Sequence, residues 1–295
     1  MALPNLLIVG AAKCGTTSLH NYLNQHPDIF MCSPKEPHFL INKEIGKQRI
    51  HKGIIDFKDY MSLFCEKDHL KYRGESSVMY LSFPEIAIKN IKHYLHDDVK
   101  IIIMLRNPVE RAYSGYQHLK RYNMMENLSF EDALEIGEER YHNIKNLTPA
   151  SRYLELGNYY NQVKLFKESF GNIHVVIYDD YKTNFNEELN KIFDYLKLVR
   201  VTINAEQRHM VGGWEWKSVG IKKIMMQQNL LKVFLRHIIP IKSLRQYIRL
   251  KLQKSNTKPV EVINPETEKW LKEYYKEDIA KLSVLLNRDL NDWTI

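Results

Sequence analysis

The residues with the clearest chemical meaning form a short glycine-bearing turn near the start of the chain. Gly10 and Gly15 frame four residues, and Lys13, Thr16 and Thr17 add one cation and two hydroxyls. Small residues let backbone N–H groups converge, and the N-terminus of a following helix attracts anions. The turn therefore predicts a site for a phosphate or phosphosulfate group. A strand-to-helix turn without a ligand is the alternative.

The position of the lysine in this turn separates two kinds of anion site. A Walker A loop has lysine where this chain has Thr16, and Lys13 lies three residues earlier. A phosphosulfate donor needs its bridging oxygen stabilised, whereas a nucleoside triphosphate needs magnesium held between its β- and γ-phosphates. Lys13 thus favours phosphosulfate chemistry.

A second candidate anion site begins at Arg106, directly after the apolar run Lys100–Leu105. Ser114 follows two helical turns later, so both side chains can reach one phosphate that is distinct from the group at the glycine turn. Open α/β sheets bind ligands at such strand ends. An ordinary amphipathic helix with an Arg–carboxylate pair is the alternative.

A third group of chemical interest is Lys35-Glu36-Pro37-His38-Phe39. An acceptor hydroxyl loses a proton as it attacks, and a carboxylate or an imidazole within hydrogen-bond reach can take it. Glu36 and His38 are both candidates for this general base, and Glu75 and His118 are further alternatives. A surface Lys–Glu pair beside a packed histidine is the structural alternative.

The elements that must position these residues alternate between strands and helices. Leu6 to Val9, Lys100 to Leu105 and Ile173 to Ile177 predict buried strands. Helices are predicted from Val109 to about Tyr122, from Tyr153 to Phe170, from Glu187 to Leu196 and from Pro265 to Leu286. This alternation predicts an α/β fold, a three-layer domain with a central parallel sheet flanked by helices.

We expect one domain over residues 1–295. Residues 1–201 would form the α/β core, and residues 202–295 a loop and a helical extension packed on the sheet. Within that extension, residues 217–258 hold eleven Lys and Arg and no Asp or Glu. Such a segment suits phosphate, an acidic glycan or a membrane surface, while a solvated helix face is the plain alternative.

The remaining composition favours a cytoplasmic protein. The chain opens without a basic segment and a cleavable apolar stretch, and no run approaches the roughly 20 apolar residues of a membrane-spanning helix. Three cysteines without metal-ligand spacing favour free thiols in a reducing compartment. No metal site and no nucleic-acid partner are expected, and the oligomeric state stays open.

Two of these motifs resemble those of one enzyme family. The segment from Ala12 to Leu19 is similar to the 5′-phosphosulfate loop of sulfotransferases that use 3′-phosphoadenosine 5′-phosphosulfate (PAPS), and that from Leu105 to Ser114 to their 3′-phosphate motif. The resemblance is closest to the heparan sulfate N- and 3-O-sulfotransferases and their bacterial relatives. It covers most of the chain and implies a P-loop-like fold, PAPS as the donor and PAP as the product.

The resemblance also implies roles for individual residues. The 5′-phosphosulfate would be held by Lys13, Cys14, Gly15, Thr16, Thr17 and Ser18. Arg106 and Ser114 would bind the 3′-phosphate. Glu36 would be the general base of an in-line displacement that Lys13 assists, with His38 as an orienting partner or alternative base. The chain departs from the 3-O-sulfotransferase pattern at Ser76, where that pattern has a lysine thought to assist catalysis.

The family also has a late basic loop that closes over the nucleotide, and residues 208–217 occupy its place. Trp214 or Trp216 would stack on adenine, and Lys217 would meet a phosphate. Packing of the two tryptophans is the alternative.

Two other kinds of protein remain open at this stage. A P-loop kinase or hydrolase would use Asp179 and Asp180 after the strand Ile173 to Ile177. A non-catalytic module would bind acidic glycans or membranes through residues 217–258. For the sulfotransferase, the branch implies a carbohydrate or glycoconjugate acceptor, and a lipid-linked acceptor or peripheral membrane contact is a further possibility.

Overall fold

A five-stranded parallel sheet forms the centre of the protein, in the strand order β2-β3-β1-β4-β5. The computed structural model describes residues 3–95, 98–205, 213–226 and 241–295. The strands are β1 (Leu6–Gly10), β2 (Ile29–Met31), β3 (Tyr72–Ser76), β4 (Lys100–Leu105), β5 (Ile173–Ile177), β6 (Trp214–Trp216) and β7 (Thr257–Pro259). The last two pair with each other as a separate antiparallel sheet.

Helices precede or follow most of these strands in the described residues. They are α1 (Thr16–Leu23), α2 (Phe39–Ile45), α3 (Phe57–Ser62), α4 (Pro84–Tyr94), α5 (Pro108–Tyr122), α6 (Phe130–Glu135), α7 (Gly137–Asn143), α8 (Tyr159–Phe170), α9 (Tyr178–Thr183), α10 (Phe185–Tyr195), α11 (Val219–Met226), α12 (Lys242–Ser255) and α13 (Pro265–Leu286). Every described helix is too short or too polar to cross a lipid bilayer.

The two central strands are apolar throughout because helices cover the sheet. Every residue of β1 is buried, and so is every residue of β4 after Lys100. Helix α1 packs against β1, β2 and β3, while α8 and α10 pack against β5. The predicted P-loop-like α/β fold with a helical C-terminal region is therefore confirmed.

Strand β3 carries polar residues and was not predicted, although it lies between β2 and β1. Glu75 and Ser76 are both fully buried in it. Gly74 is required by packing, because a Cβ atom there would lie 2.4 Å from Sδ of Met31 on β2. A glycine and two buried polar residues remove the apolar alternation by which a strand is recognised.

The predicted strands at 100–105 and 173–177 and the predicted helix at 265–286 match the structure. The helix predicted from Tyr153 begins instead at Tyr159, because Glu155–Gly157 form a 3-10 turn. Helix α13 also differs from expectation, since its main contacts are with α8 and α5 rather than with the sheet. Its amino end is capped as predicted, with Asn264 Oδ1 accepting from the Glu266 N–H at 2.9 Å.

Candidate active site

A cavity of about 850 Å³ opens at the carboxyl ends of β1 and β4. This is the edge at which open parallel sheets bind ligands, and the volume suits a nucleotide-sized molecule. Its walls include the glycine turn, the start of α5 and Tyr178 directly after β5. The cavity therefore brings together segments from Ala12 near the start of the chain to Ile295 at its end.

The glycine turn forms one wall of the cavity. Lys13, Gly15, Thr16, Thr17 and Ser18 all line it. Gly15 precedes α1 with a φ of 89°, a conformation that favours glycine. A Cβ atom at Gly15 would also lie 2.9 Å from the ring of Tyr178. The turn is thus held in a shape that directs the first turn of α1 at the cavity.

Cys14 belongs to the same turn but its side chain faces the core. Its thiol is fully buried, with Sγ 3.8 Å from the Tyr159 hydroxyl oxygen. Burial raises the pKa of Cys14 to about 11, so the thiol stays protonated near neutral pH. Only the backbone of Cys14 is therefore placed to serve an anion.

Lys13 is held in a strongly positive environment. Burial, together with the charges of Arg121 and Arg106, lowers the pKa of Lys13 to about 8, although Glu36 acts in the opposite direction. An anion in the cavity would remove this mutual repulsion among the three cations. The electrostatics of the site therefore favour a multiply charged anionic ligand.

Arg106 and Ser114 line the same cavity as the glycine turn. Asn107 and Pro108 start α5 between them, and Asn107 Oδ1 accepts from the Val109 N–H at 3.0 Å. The Arg106 guanidinium donates from Nε and Nη2 to Glu110 Oε2, at 2.9 and 2.5 Å. A phosphate bound by Arg106 would have to compete with this carboxylate.

Arg111 adds a buried cation beside the two motifs. Its side chain is fully buried in the cavity wall, and Nη2 donates to the Tyr153 carbonyl. Its Nε and Nη1 have no hydrogen-bond partner among the described residues. A buried guanidinium with unsatisfied donors is costly. Because these two nitrogens are shielded from solvent, Arg111 contributes positive potential to the cavity rather than a direct ligand contact.

Glu36 also lines the cavity, and two cationic or polar neighbours hold its carboxylate. Oε1 lies 2.7 Å from Lys35 Nζ, and Oε2 lies 3.5 Å from His38 Nε2. Burial alone would raise the pKa of Glu36, but the hydrogen bond from His38 and the charge of Lys35 lower it well below the usual value. The carboxylate is therefore ionised at neutral pH, and the Glu36 side chain is 40% exposed.

His38 contacts Glu36 but does not line the cavity. Its backbone N–H donates to Ser77 Oγ at 3.0 Å, and Ser77 in turn donates to the buried Glu75 at 2.5 Å. Glu75 also accepts from the Tyr60 and Tyr80 hydroxyls. This network fixes the backbone that presents Glu36 and leaves Glu75 with no route to a ligand.

Ser76, at the position of the lysine in the 3-O-sulfotransferase pattern, also faces away from the cavity. Its Oγ lies 2.9 Å from Nδ1 of His20, and both side chains are buried. Burial lowers the pKa of His20 to about 4, so this pair carries no charge at neutral pH. The positive charge near Glu36 comes from Lys35 and Lys13 instead.

His118, an alternative candidate for the base, lines the cavity. It lies on α5 two turns after Arg111, at the spacing that keeps residues on one helix face. Burial and the charges of Lys13 and Arg121 lower the pKa of His118 to about 4. Its imidazole is therefore neutral at pH 7 and able to accept a hydrogen bond.

Two further residues, Tyr178 and Lys272, line the cavity but belong to none of the sequence motifs described above. The Arg106 guanidinium lies 5.1 Å above the Tyr178 ring, which also contacts Gly15. Lys272 reaches the cavity from α13 and pairs with Glu268 at 2.8 Å. The position of Tyr178 directly after a buried strand is the one signal that points to a ligand site.

The predicted nucleotide-covering residues lie outside the cavity wall. Trp214 packs on Arg121, with the guanidinium 4.6 Å from its ring, and Trp216 Nε1 donates to the Arg121 carbonyl at 3.0 Å. Lys217 Nζ donates to the Ser255 carbonyl at 3.3 Å. Gly213 is the member of the predicted loop that lines the cavity. Residues 208–212 lie outside the described part of the chain.

The fold and the cavity together define an α/β domain with two candidate anion sites. Comparison with known proteins identifies its family. The sulfotransferase domain model matches residues 3–211, so the chain belongs to the sulfotransferase family. A crystal structure of a sulfotransferase from Alicyclobacillus acidocaldarius superposes with a TM-score of 0.75 at 28% identity, covering 100% of both chains. The suspected family is confirmed.

Curated relatives include carbohydrate-directed members of the family. Carbohydrate sulfotransferase 15 of Mus musculus is 26% identical over 247 residues, which cover 66% of this chain and 44% of the relative. The bifunctional heparan sulfate N-deacetylase/N-sulfotransferase 1 of Xenopus tropicalis is 28% identical over 208 residues, covering 70% and 23%. The chain thus spans less than half the length of these relatives.

Proposed function

We propose that this protein transfers a sulfuryl group from PAPS to a hydroxyl or amine of a carbohydrate or glycoconjugate. The observation that carries the proposal is the shared cavity. It joins the glycine turn, the Arg106–Ser114 motif and the ionised Glu36 at one edge of the sheet. Membership of the sulfotransferase family supports the same chemistry.

The donor would span the two anion sites. Lys13, Thr16, Thr17 and the adjacent backbone amides would hold the 5′-phosphosulfate, while Arg106 and Ser114 would hold the 3′-phosphate. As the sulfur–oxygen bond to the 5′-phosphate breaks, negative charge grows on the bridging oxygen. The ammonium of Lys13 would stabilise that charge, and PAP would leave as the product.

The acceptor would attack from the side of Glu36. Its oxygen or nitrogen forms the new bond to sulfur and releases one proton, which the Glu36 carboxylate accepts. Among the alternative bases, His38 and Glu75 do not line the cavity, whereas His118 does. His38 would then orient Glu36, and His118 would accept a hydrogen bond from the acceptor.

The carbohydrate part of the proposal rests on the curated relatives, whose names specify carbohydrate and heparan sulfate substrates. The kinase alternative has less support. Neither Asp179 nor Asp180 lines the cavity, and Asp180 instead pairs with Arg288 at 2.9 Å. The position that a Walker A loop reserves for lysine is the buried Thr16.

Two measurements on the purified protein test the proposal. Titration calorimetry with PAP in the presence of EDTA should show binding that Lys13→Ala weakens by about tenfold or more, because a charge-assisted contact is lost. Labelled PAPS offered with glycans, glycolipids, phenols and small alcohols should label a carbohydrate. Magnesium-dependent ATP turnover without PAP binding would overturn the proposal.

A further inference from the structure

The basic segment identified in the sequence leaves and rejoins the fold at the cavity wall. We call residues 217–258 the basic arm. Strand β6 directly precedes the arm and pairs antiparallel with β7 at its other end, with Trp216 opposite Thr257. Gly213 and Val260, which directly flank the paired strands, both line the cavity. The arm is therefore rooted beside the cavity.

The root of the arm is held firmly to the end of α5. Arg121 Nε donates to the Trp214 carbonyl at 2.7 Å, and the Arg121 carbonyl accepts from Trp216 Nε1. In α11, the ammonium of Lys222 donates to the carbonyls of Lys120 and Asn123, at 2.5 and 3.1 Å. A surface bound by the arm would thus be held at a fixed place relative to the cavity.

Helix α12 of the arm presents an apolar stripe to solvent. Leu244, Ile248 and Leu252 recur every four residues, so they lie along one helix face. They are 43%, 36% and 51% exposed. None of the described side chains of α12 is buried. A helix with an apolar stripe normally packs it against a core, so an exposed one indicates a partner surface.

Basic residues border this stripe on both sides. At 100° per residue, Arg249 lies beside Leu252 on one edge, and Lys251 lies beside Leu244 on the other. Both are exposed, and the whole arm contains no Asp or Glu to neutralise them. An apolar stripe between cationic edges is the pattern of helices that lie in the headgroup layer of a membrane.

We propose that helix α12 of the basic arm docks the protein on an anionic lipid surface. The stripe of α12 would enter the boundary between headgroups and acyl chains, and the flanking lysines and arginines would meet lipid phosphates. A second copy of the chain is a poorer occupant, because two arms of equal positive charge repel. A soluble polyanion would use the charges and leave the stripe exposed to water.

Docking would also hold the cavity mouth close to the membrane, because Gly213 and Val260, which flank the paired strands at the root of the arm, line the cavity. Acceptors displayed on that surface would then reach the site at high local concentration. This inference goes beyond sulfuryl transfer and does not depend on it, since membrane binding is measured without donor or acceptor.

Flotation of the full chain with vesicles tests the proposal. Binding to vesicles with about 30% phosphatidylglycerol in phosphatidylcholine should exceed binding to pure phosphatidylcholine by at least about tenfold and weaken as salt rises. Two triple variants separate charge from apolar contact. The charge variant combines Arg249→Gln, Lys251→Gln and Lys254→Gln. The apolar variant combines Leu244→Gln, Ile248→Gln and Leu252→Gln. Each should lower binding by about tenfold or more.

A matched control removes three exposed lysines outside the arm and outside the cavity wall, namely Lys52→Gln, Lys58→Gln and Lys89→Gln. It should bind vesicles as the unmodified chain does. All variants change exposed side chains, so their thermal unfolding midpoints should stay close to that of the parent, which separates lost docking from lost folding.

Three results would overturn the inference. The first is no preference for anionic vesicles, and the second is an equal loss of binding in the control. The third is binding to anionic vesicles that is weakened in the charge variant but intact in the apolar variant. That result would identify the arm as a site for soluble polyanions. A dimer in sedimentation velocity that the apolar variant dissolves, without vesicle binding, would instead assign the stripe to self-association.

Discussion

The lowered pKa of Lys13 makes affinity for PAP depend on pH in a calculable way. In the free protein, burial and the charges of Arg121 and Arg106 lower this pKa to about 8 from an ordinary value of 10.5. Bound phosphates would stabilise the ammonium and restore the pKa to at least the ordinary value. Binding then takes up a proton above pH 8, so affinity must fall as pH rises.

The expected loss of PAP affinity follows from the size of the pKa shift of Lys13. Affinity should be nearly constant below pH 7 and then drop by about tenfold per unit between about pH 8 and pH 10.5. Between pH 7 and pH 9.5 the expected loss is about 30-fold. The charge of the 3′-phosphate is constant over this range, because its second pKa is about 6.

Titration calorimetry with PAP at constant ionic strength measures this profile. Lys13→Arg is the matched control, because a guanidinium remains charged throughout and its profile should be flat over the same range. An unchanged dissociation constant of the parent protein between pH 7 and pH 9.5 would refute the reasoning. An equal fall in Lys13→Arg would assign the titration to another group.

Three further changes probe other parts of the site. Glu36→Gln should lower turnover by about 100-fold or more through loss of the general base. PAP affinity should be unchanged in that variant, and near-normal turnover in a rate assay would move the base to His118. Glu110→Gln frees the Arg106 guanidinium and should tighten PAP binding about two- to fivefold in calorimetry, whereas weaker binding would show that Glu110 orients Arg106. Gly15→Ala places a side chain at positive φ against the Tyr178 ring. It should lower the free energy of unfolding, measured by urea titration, by about 1–3 kcal/mol. An unchanged unfolding midpoint would mean that the ring moves aside.

The sequence by itself determined the donor half of the candidate site. The glycine turn and the Arg106–Ser114 motif are local, and each follows an apolar run whose length and composition indicate a buried strand. Parallel strands place their carboxyl ends at one edge, so the two motifs could be expected to share a cavity. The same local signals located α13, from its Asn-Pro start to its last apolar turn.

The tertiary structure decided which side chains join those motifs. Tyr178, Arg121 and Lys272 reach the cavity from three separate helices, and no short-range pattern connects them. Ser76 lies on β3, a strand whose polar residues make it hard to recognise in the sequence. Its hydrogen bond with His20 depends on how α1 crosses the sheet. A local motif shows which side chains a segment can contribute, whereas their convergence depends on packing between distant segments. Packing also left the apolar stripe of α12 exposed to solvent.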